Sequence, residues 1–249
     1  MAKSTKRFSD FEVNSPQDLL EVVKRVAADE YSEALTICAA NIIKNPQLSC
    51  SLRMDDGEDA IIFMQKWTDK YLKGYKNRAS KRKSSVITTQ PDRIIDIIIE
   101  ARIKKSGDDL NTIKYGHRLA MAAENIAGAL LEEYLAEKLI VHGWYCCWGE
   151  TMRSIDFCTA SGLFLQIKNS DNSENSSSKQ VRDGTTIKHW FRRFSRTGET
   201  NWPALNTLIG ISNEMTQLTE DDFCEFVRET ISNNPDSLFV EEESPFYGS

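Results

Sequence analysis

Residues 153–168 have the sequence RSIDFCTASGLFLQIK, in which two apolar runs flank a Thr-Ala-Ser-Gly turn. This pattern predicts two β-strands joined by a tight turn. Side chains alternate between the two faces of a strand, so Gln166 and Lys168 share one face of the second strand. Pairing of the strands would bring Asp156 to the same polar position. A carboxylate, an amide oxygen and an ammonium group would then surround one point, which suits a hard metal ion and a phosphate.

The spacing of these residues resembles a nuclease signature. Asp156, a gap of nine residues and then Gln166-Ile167-Lys168 resemble the PD-(D/E)XK motif. Ile155 stands in place of the proline and Gln166 in place of the second acid, a variant that Mrr-like and some restriction nucleases also have. The resemblance implies a metal-dependent nuclease with its site on this hairpin.

The net charge of −6 for 249 residues does not exclude a nucleic-acid partner, because the charge is unevenly distributed. Residues 214–249 contain ten acids and one base, whereas residues 1–213 contain 30 bases and 27 acids. The bases also cluster. Residues 73–83, called here the basic segment, contain six bases and no acid. Such a segment can bind phosphates, although a solvated loop has the same composition.

Apolar periodicity and start and stop signals predict the remaining elements. Helices are expected over residues 15–26, 30–44, 58–72, 91–102, 119–142 and 219–231, and strands over residues 144–148 and 206–212. Asp108 and Asp109 are expected to begin a linker. Residues 1–110 are therefore predicted to form a helical N-terminal region, and residues 111–249 a nuclease core with a DNA-recognition loop.

Two glutamates of the predicted helix over residues 119–142 have apolar neighbours at i±3 and i±4, namely Glu124 and Glu132. A carboxylate on apolar surface is costly unless it is paired or bound to a metal ion, whereas Glu133 and Glu137 are expected to face water. Eight residues correspond to about 12 Å along a helix, so only one of the two can reach a metal ion beside Asp156.

Glu132 is the expected ligand because it lies closer to the turn into the sheet. Gly128 and Glu132 ahead of Gly143-Trp144 resemble the helix-to-strand pattern of PD-(D/E)XK Holliday-junction resolvases, whose helix glutamate joins the metal site. The alternative for either Glu124 or Glu132 is a structural glutamate held by a neighbouring Arg or Lys.

The segment after Lys168 is rich in Asn, Ser, Lys and Arg. A flexible linker would have a similar composition. Because the segment follows the predicted catalytic strand, we expect it to read bases, with Lys179, Arg182 and Lys188 as candidates. Arg82 in the basic segment is the candidate phosphate contact.

The six cysteines lack the spacing of a zinc site, which predicts reduced and mostly buried thiols. The chain shows no apolar signal segment and no apolar run of about 18 residues, so we expect a cytoplasmic protein without membrane contact.

The order of helix, hairpin, strand and helix resembles type II restriction endonucleases, and the Asp156 to Asn169 region looks most like the SinI-type family. The resemblance implies an α/β (α+β) fold with a restriction-endonuclease-like mixed sheet flanked by helices. It also implies a homodimer that cuts double-stranded DNA at a short palindrome of the GGWCC kind. Asp156, Glu132 and Gln166 would hold Mg²⁺, and Lys168 would position the attacking water.

Two other classes of function remain open from the sequence. The missing proline and missing acid are compatible with a sequence-tolerant DNA-binding module, or a nonspecific nuclease, with a degenerate metal site. The acidic C-terminal segment alone would suit a structural or toxin-neutralising helical protein.

Overall fold

The computed structural model describes residues 3–13, 15–84, 92–104, 107–172 and 186–247. At its centre is a mixed four-stranded sheet, whose strands lie side by side in chain order. The strands are Trp144–Cys146 (β3), Phe157–Thr159 (β4), Phe164–Ser170 (β5) and Ile187–Arg193 (β6). β3 and β4 are antiparallel to each other, as are β4 and β5, whereas β5 and β6 are parallel.

The predicted hairpin forms the middle of this sheet. Phe157 lies opposite Leu165, and Cys158 lies opposite Phe164. The turn is closed by the amide of Gly162, which donates to the carbonyl of Thr159 at 3.1 Å. Gly162 has a φ of +83°, a conformation that only glycine adopts without a steric cost. The prediction of two paired strands around this turn is confirmed.

Helices flank the sheet, as predicted for this α+β architecture. They are Pro16–Ala27 (α1), Glu33–Lys44 (α2), Ala60–Lys76 (α3), Arg93–Ile103 (α4), Asp108–Leu139 (α5), Trp202–Ile209 (α6) and Glu220–Asn233 (α7). Polar side chains fix several of the starts. The Asp59 carboxylate accepts from the amide of Ile62 at 3.0 Å, and the Thr219 hydroxyl accepts from the amide of Asp222 at 3.2 Å.

The N-terminal region shares one hydrophobic core with the central sheet. A small antiparallel pair of strands, Lys3–Lys6 (β1) and Leu52–Asp55 (β2), accompanies the first three helices. α2 packs against β3 and β4, and α5 packs against β3 and β5. The division of the chain at residue 110 stays a prediction.

Two element predictions were wrong. Residues 206–212, predicted as a strand, lie mostly in α6, because Trp202-Pro203 starts a helix and the Asn206 side chain bonds both backbone groups of Leu218. Asp108 and Asp109 were predicted to begin a linker, but they form the first turn of α5. Acidic side chains are favourable there because their negative charge is attracted to the positive end of the helix dipole.

All six cysteines are free thiols, and all except Cys224 are buried. The sulfur atoms of Cys38, Cys147 and Cys158 lie within 4.8 Å of one another, at the junction of α2 with the sheet. Sequence spacing could not predict this cluster, since its members come from separate elements. Among the described helices, none combines the length and the hydropathy that a membrane span requires.

Candidate active site

The backbone around Asp156 is fixed by the sheet on both sides. Its amide donates to the carbonyl of Leu165 at 2.9 Å, and its carbonyl accepts from the amide of Cys147 at 2.8 Å. The carboxylate Oδ2 accepts a further bond from the amide of Ile167 at 2.7 Å. Asp156 is thereby held beside the strand segment that carries Gln166 and Lys168, as the hairpin predicted.

Gln166 is buried, with 2 % of its surface exposed. Its amide oxygen Oε1 is also buried and has no hydrogen-bond partner among the described residues. A buried acceptor left in this state costs about 1–3 kcal/mol. Oxygen atoms are the ligands that Mg²⁺ takes in proteins, so the free acceptor and the neighbouring Asp156 carboxylate fit a hard cation.

The carboxylate of Asp156 has a perturbed pKa. Burial raises the pKa from 3.8 to about 6, against the lowering effects of the Ile167 amide and the positive charge of Lys168. Lys168 itself is half-buried on β5. The ammonium group therefore acts electrostatically on the carboxylate across the hairpin.

Glu132 lies next to this site, on α5. Burial and the negative charge of Asp156 raise its pKa from 4.5 to about 7, partly opposed by the thiol of Cys146, which donates to Oε1 at 3.5 Å. A buried carboxylate whose ionisation is opposed by the charge of a neighbouring carboxylate marks a position that a cation would stabilise. Glu124, the alternative ligand, is exposed to solvent. The prediction that its carboxylate lies on apolar surface is therefore wrong.

The other glutamates of α5 differ from the prediction in part. Glu133 was expected to face water but is 1 % exposed. It pairs with the Arg78 guanidinium at 3.0 Å and accepts bonds from the amide and the hydroxyl of Ser80. Glu137 is exposed, as expected. The chain segment after α3 covers Glu133, which local periodicity could not reveal.

Glu150 is an additional carboxylate near the site that the sequence analysis did not identify. It is exposed, and its negative charge raises the pKa of both Asp156 and Glu132. Its backbone has a φ of +53°, which is rare for a residue with a side chain. In the sequence, the Trp-Gly-Glu turn ahead of Asp156 was the signal that could have pointed to Glu150.

The loop of residues 147–155, which leads into Asp156, is held by the N-terminal region. The carbonyl of Thr151 accepts from the Cys50 amide at 3.0 Å and from the Trp67 indole at 3.1 Å. α3 approaches the loop so closely that a Cβ atom at Gly74 would lie 2.3 Å from the amide nitrogen of Gly149. Contacts with the N-terminal region therefore fix the position of the loop and, through it, the position of Asp156.

The predicted DNA contacts are only partly described. Lys179 and Arg182 lie outside the described residues, and Lys188 is exposed on β6. Arg82 is half-buried, with a buried Nε that has no hydrogen-bond partner within the described ranges.

Acids elsewhere in the chain neutralise much of the basic segment. Lys76 pairs with Glu30 at 2.8 Å, and Lys83 pairs with Asp236 at 3.1 Å. Arg78 pairs with Glu133 in addition. Three of the six bases of the segment therefore have a structural role as partners in ion pairs within the protein.

Comparisons with known proteins identify the family of the chain. The sequence model of the family described as SinI restriction endonuclease matches residues 21–233. The type II restriction enzyme Eco47I of Escherichia coli and the type II restriction enzyme SinI of Salmonella infantis are each 43 % identical to the chain over 152 residues. These alignments cover 59 % of the chain and 64 % of each relative. Because the family model spans most of its length, the chain belongs to the SinI restriction endonuclease family.

Proposed function

We propose that the chain is a Mg²⁺-dependent type II restriction endonuclease that hydrolyses phosphodiester bonds of double-stranded DNA. The relatives are named type II restriction enzymes, which supports the substrate class. The observation that carries the proposal is the buried, unbonded oxygen of Gln166 beside the Asp156 carboxylate. Buried acceptors are nearly always hydrogen-bonded, so an unbonded one at this position is unusual for a purely structural hairpin.

The proposed ligands of Mg²⁺ are Asp156, Glu132 and the side-chain oxygen of Gln166. When bound, the ion would supply a Lewis acid for the phosphate and lower the pKa of a water molecule. Lys168 is proposed to orient the attacking water and to offset the negative charge that develops on the phosphate. Gln166 is neutral, so this ligand set has one negative charge fewer than a set with a second acid, and weaker metal binding is expected.

The proposed target is a short palindrome of the GGWCC kind, which implies two subunits related by two-fold symmetry. Each subunit of a homodimer would cut one strand. Lys179, Arg182 and Lys188 are the proposed base-reading residues, and Arg82 the proposed phosphate contact. DNA as the substrate and free thiols support a cytoplasmic location.

A second candidate is a DNA-binding module, or a nonspecific nuclease, with a degenerate metal site. The neutral Gln166 favours this alternative, because PD-(D/E)XK sites usually have an acid there.

Incubation of supercoiled plasmid with purified protein in Mg²⁺, and in EDTA, tests the proposal. Discrete linear fragments that require Mg²⁺ are expected, whereas a smear would indicate a nonspecific nuclease. Asp156→Ala and Lys168→Ala should each abolish cleavage while DNA binding stays measurable, since phosphate contacts elsewhere provide affinity. The matched control is Glu124→Gln, which changes an exposed carboxylate on the helix that carries Glu132. Cleavage that persists in Asp156→Ala would refute the site.

A further inference from the structure

The helix α4 has an apolar stripe that no part of the described chain covers. Ile94, Ile97, Ile98 and Ala101 recur at i, i+3, i+4 and i+7, the spacing of one face of a helix. Ile94 and Ile98 are each 57 % exposed and Ile97 is 47 % exposed. α4 has no buried residue at all. Monomeric proteins rarely leave such a continuous apolar face in water.

The stripe points away from the rest of the described chain. α4 contacts α5 through its other side, where the ammonium group of Lys114 pairs with the carboxylate of Asp96 at 3.0 Å. Asp96 and Ile99 are the half-buried residues of α4. At about 100° per residue they lie roughly opposite the stripe on the helix circumference. The helix therefore docks through a partly polar side and presents isoleucines outward.

We propose that this stripe packs against the same stripe of a second copy of the chain, antiparallel and across a two-fold axis. The inference deepens the proposed function and rests on its homodimer. A two-fold interface must be complementary to itself, and an apolar stripe satisfies this condition without any matching of unlike groups. DNA is a less suitable partner for the stripe, because isoleucine side chains form neither ion pairs nor hydrogen bonds with phosphates.

The charges beside the stripe specify the antiparallel arrangement. Arg93 and Glu100 are seven residues apart and therefore lie on the same flank of α4. In an antiparallel pair of identical helices like flanks meet, so Arg93 would face Glu100 of the second copy, and Glu100 its Arg93. A parallel pair would instead bring this flank against the opposite flank, which carries Ile95 and Arg102, and would leave Arg93 without an acidic partner. Neither side chain has an ion-pair partner in the part of the chain that the structure describes.

The two reciprocal pairs also fix the register. The midpoint between Arg93 and Glu100 lies beside Ile97, so the two-fold axis would pass close to this residue. Ile97 of each copy would then contact its own symmetry mate at the centre of the stripe. A charge placed at Ile97 would meet the same charge across the axis, in an environment without water.

Sedimentation equilibrium of the full chain without DNA tests the interface. The wild-type protein should be a dimer, and Ile97→Lys should be monomeric at concentrations where the wild type is dimeric. Arg93→Glu and Glu100→Arg should each raise the dissociation constant about tenfold, because one substitution affects two symmetry-related pairs. The double variant Arg93→Glu/Glu100→Arg should restore the wild-type value.

These charge reversals distinguish an effect on the dimer interface from an effect on folding. An acid at the first turn and a base at the last turn both favour an isolated helix, so neither single variant should destabilise α4 itself. Arg102→Glu is the matched control, since it changes a charge of α4 on the other flank and should leave the dimer intact.

The outcomes distinguish this inference from the proposed nuclease. A dimer that persists in Ile97→Lys would refute the α4 interface, and a double variant that fails to recover would refute the antiparallel register. A wild-type monomer would refute both the interface and the homodimer. Mg²⁺-dependent plasmid cleavage, measured in parallel, reports on the nuclease site alone.

Discussion

Replacement of Glu132 by glutamine should stabilise the metal-free protein and impair DNA cleavage. The carboxylate lies half-buried beside Asp156, and its pKa is raised from 4.5 to about 7 by burial and by the charge of Asp156. Glutamine has almost the same shape and still accepts the bond from the Cys146 thiol, but it carries no charge. The substitution therefore removes an electrostatic cost without opening a cavity.

The sign of the pH dependence follows from proton binding. Above pH 4.5 the unfolded chain has lost the proton of Glu132, whereas the folded protein keeps it until about pH 7. Unfolding then releases a proton, so the free energy of unfolding of the wild type falls as the pH rises through this window. At about 1.4 kcal/mol per pKa unit, ionised Glu132 lowers the free energy of unfolding above pH 8 by about 3 kcal/mol. Solvent screening of the half-buried group reduces this loss to roughly 1–3 kcal/mol.

Urea denaturation in EDTA at pH 4 and at pH 8 measures this effect. The Glu132→Gln variant and the wild type should have similar free energies of unfolding at pH 4, where Glu132 is protonated in both states. At pH 8 the variant should be more stable by roughly 1–3 kcal/mol. Glu124→Gln, which changes an exposed side chain of the same helix, should match the wild type at both values.

Addition of Mg²⁺ completes the experiment. The ion should stabilise the wild type at pH 8 more than the variant, because an ionised Glu132 is a ligand and a glutamine is a weaker one. Plasmid cleavage by the variant should be strongly reduced. A variant that is less stable than the wild type at pH 8 would refute the argument that the carboxylate is desolvated. Full cleavage would refute its role as a ligand.

Three further predictions concern the hairpin, the loop and the recognition of DNA. Gln166→Glu should keep part of the cleavage activity and require less Mg²⁺, as titrated in a plasmid assay, since it adds a negative ligand; a higher requirement would contradict the ligand role. Gly74→Ala should destabilise the protein by about 1–3 kcal/mol in urea, because the new Cβ collides with the backbone of Gly149; an unchanged stability would mean that the contact is loose. Arg182→Ala should weaken binding to a cognate duplex more than to a random one, whereas Arg82→Ala should weaken both alike and flatten the salt dependence; equal losses for Arg182→Ala would make the loop a phosphate clamp.

The sequence determined the hairpin and the polar residues on it. The turn at residues 159–162 is local, and a strand has a period of two, so Asp156, Gln166 and Lys168 could be assigned to one place. Most helices were also predictable, because caps and proline at their starts act within a few residues.

The tertiary structure decided which carboxylates lie near Asp156. Glu124 and Glu132 have similar neighbours in the sequence, yet one is exposed and the other lies beside Asp156. Glu133 is buried under a segment about 50 residues away in the chain, through Arg78 and Ser80. Burial of a helix face depends on what packs against it, and periodicity alone does not contain that information.

Only the folded chain also determined how the site is supported. The loop ahead of Asp156 is held by Cys50 and Trp67, roughly 100 residues earlier in the sequence. Residues 206–212 form a helix end rather than a strand because Asn206 bonds to Leu218 and fixes the chain there. Local patterns report the conformations that neighbouring residues favour, whereas contacts between distant residues select among them and set the positions of charged groups.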